Sequence, residues 1–135
     1  MCNYAINFEA SVLKRDNERI EEYDQDKIAA TLRSLFRTSG EVDKEEAEKV
    51  IVTVVNYVTL ELQNRYSDMD NPVIPSYEVQ ECVERSLMFF DYYETLKQCI
   101  ILGYTKAVIA HSNVQFKWLS RIVLGYIPVL SCNYL

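Results

Sequence analysis

The sequence predicts an α+β fold that is mostly α-helical, with a short N-terminal β-hairpin over a four-helix bundle. Two patterns indicate this fold. Extended runs flank an Asp-Asn pair near the N-terminus, and apolar residues then recur at helical spacing along most of the chain. The 135 residues are 49% hydrophobic and 25% charged, with only 3 Gly and 3 Pro. This balance is typical of one globular domain, and the length excludes a large two-domain enzyme.

The hairpin is predicted from residues 11–14 and 18–23, which flank Arg15, Asp16 and Asn17. Asparagine tolerates the positive φ that a tight turn between two strands requires. The second run is heavily charged.

Two helices are predicted next. Asp24 is the expected N-cap of the first, which ends near Gly40. Its apolar face consists of Ile28, Leu32, Leu35 and Phe36. Asp43 and Glu46 have the spacing of a capping box and open a longer helix. The predicted buried stripe of that helix consists of Ala47, Val50, Ile51, Val54, Val55, Val58 and Leu62.

A polar loop with prolines is predicted over residues 66–75, and Ser76 is expected to cap a third helix. The inward residues of this helix are Val79, Cys82, Val83, Leu87 and Phe90. A break near Asp91 separates it from a last helix, from about Tyr92 to Ala110.

We therefore expect a leader over residues 1–10, a folded unit over residues 11–110 and an apolar C-terminal segment over residues 111–135. The last segment lacks clean amphipathicity and fits a further helix, a dimer contact, a docking segment or a truncated linker. The chain has no secretory signal and no apolar run of about 20 residues that could span a membrane. We expect a cytoplasmic protein that does not cross a membrane.

The net charge and the spacing of the cysteines limit which partners and ligands we expect. The formal net charge is −6, so most of the surface would repel a nucleic-acid backbone, and no nucleic-acid partner is expected. The cysteines form no CxxC pair and no Cys-His cluster, which indicates reduced thiols and no metal site. They are Cys2, Cys82, Cys99 and Cys132.

No catalytic motif stands out. The chain lacks a glycine-rich phosphate loop, a GxSxG elbow and an HExxH pair. Its single histidine, His111, has no nucleophile or metal ligand near it in the sequence. We therefore expect no catalytic residues and no enzymatic activity of its own.

Three cations are the remaining candidates for a site. Lys14 and Arg15 lie at the hairpin turn, and Lys27 lies in the first turn of the following helix. A lysine beside a helix N-terminus is disfavoured by the helix dipole, and a bound anion would relieve this. With the free amides of that turn, such cations could bind phosphate. Alternatively, they pair with the many nearby carboxylates.

Two stretches resemble the ATP-cone domain. The first is Val12-x-Lys14-Arg15-Asp16, followed by Tyr23-Asp24-x-x-Lys27-Ile28. The second is Ser76-Tyr-Glu-Val-Gln80, with Asp91-Tyr-Tyr-Glu94 leading into Lys97-Gln-Cys-Ile-Ile101. The resemblance covers residues 12–106. ATP cones are small regulatory nucleotide-binding modules of many ribonucleotide reductases and of a bacterial repressor of reductase genes.

The resemblance implies a hairpin lid over four helices that binds ATP or dATP, a ligand that Mg²⁺ could accompany. It assigns Lys14, Arg15, Lys27 and Lys106 to the phosphates, and Val12 and Ile28 to the adenine or sugar. It further assigns Glu21 to the adenine amino group, Asp24 to the polar position at the helix cap, and Ser76 to the hydroxyl position of the third helix.

Several features depart from the family pattern. Asn17 replaces a glycine, and the hairpin is one residue longer than usual, so Glu21 and Glu22 compete for the base-reading role. Gly103 stands where many cones carry a large residue, and we expect it to weaken the last helix by about 0.5–1 kcal/mol relative to Ala. Zinc-ribbon cysteines and a reductase catalytic domain are absent from these residues.

Two functions follow as hypotheses. The first is a non-catalytic ATP- or dATP-binding module that controls a ribonucleotide reductase, through a reductase subunit or through self-association. The second is a helical protein-interaction module that keeps the cone fold but has lost nucleotide binding. Convergence of Lys14, Arg15, Lys27 and Lys106 on one cavity would favour the first hypothesis, and scattered pairing with carboxylates would favour the second.

Overall fold

The computed structural model describes residues 4–14 and 19–111, with side chains described as far as Thr105. Its elements are β1 (Ser11–Leu13), β2 (Ile20–Glu22), α1 (Gln25–Ser39), α2 (Lys44–Arg65), β3 (Val73–Pro75), α3 (Ser76–Phe89) and α4 (Tyr93–His111). The described chain is mostly helical with a small N-terminal sheet, which confirms the predicted fold class. Beyond His111, the predicted C-terminal segment lies outside the described residues.

The three strands form one sheet in the order β2-β1-β3. β1 and β2 pair antiparallel, with Val12 opposite Glu21 and Leu13 opposite Ile20. The Lys14 backbone N–H donates to the Arg19 carbonyl at 2.9 Å and continues the ladder toward the turn. The predicted hairpin is therefore confirmed, although its turn, residues 15–18, lies outside the described residues.

The third strand corrects the prediction of a loop through residues 66–75. β3 runs parallel to β1, with Ile74 opposite Val12, and Ile74 is fully buried. Prolines are tolerated here because β3 is an edge strand and Pro75 is its last residue. A strand of 3 residues is too short to show the alternation that identifies strands in a sequence, so composition alone indicated a loop.

The first two helices begin at the predicted caps. The Asp24 carboxylate accepts a hydrogen bond from the Asp26 backbone N–H at 2.9 Å, and Asp43 accepts one from the Glu46 backbone N–H at 2.8 Å. Gly40 ends α1 in the left-handed conformation, with φ of 65°, which glycine adopts without steric cost. These local signals fix where both helices begin and where α1 ends.

The start of α3 shows that the prediction of Ser76 as a cap is wrong. The N-cap position is Pro75, which makes no side-chain cap bond, because the chain passes directly from β3 into the helix. Ser76 is therefore the first helical residue, and its hydroxyl is not placed to bond the amides that an N-cap residue bonds. Its buried Oγ has no hydrogen-bond partner among the described residues. Asp91, with φ of 64°, lies at the predicted break before α4.

One hydrophobic core joins the helices to the sheet. The predicted stripe of α2 is confirmed at its centre, where Val54, Val55 and Val58 are fully buried, whereas Val50 is only partly buried. The largest fully buried side chains are Phe36, Leu32, Leu35, Ile51, Leu62, Ile74, Leu87 and Leu102. Among the described helices, none is long and apolar enough to cross a membrane.

Residues 4–10, which the sequence suggested as a leader, pack against the helices. Tyr4 and Phe8 contact the core, and Ala10 is only 2% exposed. The Ala5 backbone N–H donates to the Asn56 side chain on α2 at 3.1 Å. The chain before β1 is thus attached to the same body as the helices.

A buried chain of hydrogen bonds attaches the end of the hairpin to α2. The Thr59 hydroxyl donates to Gln25 Oε1 at 3.1 Å, so its oxygen accepts from the Tyr23 hydroxyl, 2.8 Å away. The Gln25 amide then donates to the Ile6 carbonyl at 2.9 Å. Burial raises the pKa of Tyr23 to about 12, so the phenol stays protonated as a donor at neutral pH.

Removing the central hydroxyl of this chain tests its importance. We expect Thr59→Val to lower the free energy of unfolding by about 1–3 kcal/mol, because Tyr23 and Gln25 each lose a buried partner. The control is Thr53→Val on the same helix, since the exposed Thr53 hydroxyl bonds only the Lys49 carbonyl of its own helix. We expect that control to change stability by less than about 0.5 kcal/mol. Urea denaturation of both variants measures the difference, and equal losses would contradict the assigned role.

Candidate functional site

A cavity opens between the hairpin, the N-terminal halves of α1 and α3, and Cys99 of α4. Its enclosed part has a volume of about 140 Å³, and the rest of the space is a mouth that is open to solvent. Its lining residues are Val12, Lys14, Glu21, Glu22, Tyr23, Asp24, Lys27, Ile28, Thr31, Leu32, Ser76, Val79, Gln80, Val83 and Cys99.

Most of the residues that the sequence nominated for a site lie in this cavity. The structure places seven of them in its wall: Val12, Lys14, Glu21, Asp24, Lys27, Ile28 and Ser76. Arg15 and the side chain of Lys106 lie outside the described part of the chain. The cavity thus brings together residues from the hairpin, α1 and α3 that are far apart in the sequence.

The register of the hairpin distinguishes Glu21 from Glu22, which were both candidates for reading the adenine base. Glu21 lies directly opposite Val12, and Glu22 lies opposite Ser11. Directly paired residues share a face of a sheet and successive residues alternate, so Glu21 and Val12 project to the same side. Glu21 contacts the cavity's lysines from there, which makes it the stronger candidate for contact with a ligand.

Glu21 is the centre of the charge in the cavity. Its Oε2 lies 3.2 Å from Lys14 Nζ and 3.0 Å from Lys27 Nζ, and its Oε1 lies 3.8 Å from Arg19 Nη1. The hydrogen bonds from Lys27 and then Lys14 hold the pKa of this carboxyl below its usual value. The two lysines therefore converge on one cavity and also pair with a carboxylate, so both arrangements considered from the sequence occur together.

The N-termini of α1 and α3 add polar groups to the cavity beside Glu21 and the two lysines. Lys27 lies in the first turn of α1, where the amides and the helix dipole favour an anion. Across the cavity, α3 begins without a side-chain cap, and the buried Ser76 hydroxyl lacks a partner among the described residues. These groups can donate hydrogen bonds to a ligand that carries several oxygens.

Much of the remaining wall is apolar. Val12 and Ile28 pack at the edge of the core, and the other apolar lining residues are Leu32, Val79 and Val83. Such a wall suits a flat ring, whereas the lysines suit an anion, so the cavity can hold a molecule with both parts. The described residues include no group of His, Cys, Asp and Glu that could hold a metal ion.

Gln80 is a lining residue that the sequence analysis missed. Its Nε2 donates to the Cys99 carbonyl at 2.8 Å and lies 3.2 Å from Cys99 Sγ. It stands four residues after Ser76 on α3, the spacing that places two residues on one helix face. The spacing from Ser76 was therefore the signal in the sequence that could have identified Gln80 as a lining residue.

The unusual glycine of α4 makes room for Gln80. A Cβ at Gly103 would lie 2.7 Å from Gln80 Nε2, closer than real carbon contacts allow. The sequence indicated only that Gly103 weakens its helix. The structure shows what the glycine permits: the Gln80 amide lies against α4 at the cavity wall.

Comparison with known families agrees with this geometry. The family model of the ATP cone domain matches residues 10–107, well over half of the chain. The chain belongs to the ATP-cone family. ATP cones are regulatory domains that bind adenine nucleotides and are not catalytic. Searches of curated proteins and of solved structures give no significant match.

Replacing the glycine tests its packing with Gln80. Gly103→Ala gains about 0.5–1 kcal/mol of helix propensity, but the new methyl group displaces the Gln80 amide from Cys99. When Gln80 is already replaced by Ala, Gly103→Ala should show only the gain in helix propensity, because no amide is displaced. Urea denaturation of the two single variants and the double variant should therefore give a coupling energy of about 1 kcal/mol. Effects that add within about 0.3–0.5 kcal/mol would contradict the assigned contact.

Proposed function

We propose that this ATP cone binds ATP or dATP in the cavity between the hairpin, α1 and α3, and that it does not hydrolyse the nucleotide. The observation that carries the proposal is the convergence of Lys14 and Lys27 on one point of a cavity that is also lined by several apolar side chains. A triphosphate is a strong anion that bridges two ammonium groups, and adenine is a flat ring that packs on alkyl side chains.

The proposed contacts divide the cavity into two parts. Lys14 and Lys27 bind phosphate oxygens, and Arg15 and Lys106 supply further positive charge to the same groups. Mg²⁺, where it accompanies the nucleotide, is coordinated by those phosphate oxygens.

Residues of all the surrounding elements contact the remainder of the nucleotide. Val12 and Ile28 pack on the adenine or the sugar. The Ser76 hydroxyl donates to the ligand, and Asp24 holds the first turn of α1 in place. Glu21, whose carboxylate contacts both cavity lysines, can accept from the adenine amino group.

The regulatory output follows from linkage. ATP and dATP bind one site with different affinities for different conformations or oligomers, and each shifts the equilibrium toward the form that it binds more tightly. We propose that the controlled protein is a ribonucleotide reductase in the cytoplasm. The cone acts on it as part of the same chain, as a separate subunit or through self-association.

One observation favours the alternative of a protein-interaction module. Phe89 at the end of α3 is 65% exposed and Met88 is 53% exposed, and the Phe89 ring stacks on Tyr57 at 5.2 Å. An exposed apolar surface of this kind is typical of protein contacts. It lies on α2 and α3 among residues that do not line the cavity, so it is compatible with nucleotide binding as well.

Thermal unfolding with ATP, dATP, GTP or no nucleotide tests the proposal. A ligand at about 100 times its Kd stabilises the fold by roughly 2.7 kcal/mol, enough to raise the Tm by several degrees. We expect this shift with ATP and dATP but not with GTP. Lys14→Ala and Lys27→Ala should each remove most of it, because each deletes a phosphate contact.

The control for these variants is Lys97→Ala. Lys97 is an exposed lysine on α4 that pairs with Glu94 of its own helix at 3.1 Å and does not line the cavity. Its loss should leave the nucleotide shift unchanged. A folded wild-type protein that shows no shift with any nucleotide would overturn the proposal and favour the interaction module.

A further inference from the structure

We propose that Glu21 is an internal counterion that a polyphosphate must displace, so that the cavity selects ligands by phosphate charge. The inference rests on the proposed function and adds a selection step to it. Adenosine carries no charge that could replace the carboxylate between the lysines, whereas ATP does. The site would therefore discriminate against nucleosides, which carry no phosphate.

The geometry of the ion pairs supports this role. A single oxygen, Glu21 Oε2, bridges Lys14 Nζ at 3.2 Å and Lys27 Nζ at 3.0 Å. One oxygen between two ammonium groups is the arrangement that a phosphate oxygen would adopt there. The carboxylate thus occupies the place where the proposed ligand needs its anion.

Electrostatic repulsion disfavours simultaneous binding of Glu21 and a phosphate to the same two lysines. If Glu21 stayed between the lysines, it would repel an incoming phosphate and keep both cations engaged. If Glu21 moved away with no ligand present, the two ammonium groups would lose the carboxylate that bridges them. A polyphosphate resolves both problems, because it carries enough charge to bind both lysines after the carboxylate has left.

The position of Glu21 allows this exchange. Its side chain is 30% exposed, so a rotation can move the carboxylate into solvent or toward the base without unfolding the hairpin. Lys27 is 62% exposed, and it can follow a ligand in the mouth of the cavity. The same carboxylate can therefore block phosphate binding in the free protein and accept from the adenine amino group in the complex.

Glu21→Gln separates the two roles, since glutamine keeps an oxygen acceptor for an amino group but loses the charge. Isothermal titration calorimetry with adenosine, AMP, ATP and inorganic tripolyphosphate provides the readout. We expect the variant to bind ATP and tripolyphosphate about three- to tenfold more tightly than wild type, because two exposed ion pairs no longer compete. Its affinity for adenosine should not change.

The matched control is Glu48→Gln. Glu48 also forms an ion pair, with Arg33 Nε at 2.6 Å, but it does not line the cavity. This variant removes the same unit of charge and should leave all four affinities unchanged. Glu21→Ala, measured with tripolyphosphate, repeats the charge test with a ligand that has no base, and should also bind more tightly than wild type.

Each outcome decides between the hypotheses. Wild type that binds ATP while Glu21→Gln binds ATP and tripolyphosphate no more tightly would overturn the counterion role and leave the proposed function intact. Equal losses of adenosine and ATP affinity in Glu21→Ala, with tripolyphosphate bound no more tightly than by wild type, would show that Glu21 only reads the base. Cooperatively folded wild type and Glu21→Gln that bind none of the four ligands would overturn both proposals.

Discussion

The architecture of the cavity depends on the buried hydrogen bonds of Tyr23. This residue lies between the last residue of β2 and the N-cap of α1, and its hydroxyl is held by Thr59 of α2 at 2.8 Å. Lys14 and Glu21 precede this anchor and Lys27 follows it. A tyrosine fixed here therefore sets the distance between the hairpin and α1, and with it the distance between the charged groups of the cavity. An unpaired hydroxyl at this depth would cost more than the bond contributes.

The cavity combines charged side chains, which suit an anion, with apolar side chains, which suit a flat ring. The lysines meet at the hairpin end of α1, and alkyl side chains of α1 and α3 also line the cavity. The formal net charge of −6 does not by itself prevent anion binding, because salt screens the carboxylates that lie more than about 10 Å from the two lysines. In the proposed account, Glu21 bridges that pair until a polyphosphate displaces it. Nucleotide binding would then exchange the partner of the two ammonium groups.

The helices and their caps were predictable because their signals are local. Asp24, Gly40 and Asp43 act on amides and carbonyls within a few residues, and the apolar spacing of α2 repeats many times. β3 was missed because 3 residues beside prolines carry no periodic signal and are held by pairing with distant β1. Ser76 was assigned as a cap because a sequence does not show that a strand enters the helix directly.

The sequence identified many of the residues that line the cavity, but it did not predict the contacts between them. The resemblance to ATP cones assigned Lys14, Lys27 and Ser76 to one site, but the pairing of both lysines with Glu21 depends on hairpin register. The place of Gln80 depends on the room left by Gly103 on another helix. A sequence does not encode such contacts in any one segment.

The most direct test of the account is an NMR titration of the ¹⁵N-labelled protein with ATP. We predict saturable shifts of backbone amides concentrated in the hairpin, in the first turns of α1 and α3, and around Cys99. Amides of the exposed surface around Phe89 should not move. Shifts confined to that surface, or no shifts at millimolar ATP, would contradict the claim that this cavity is the nucleotide site.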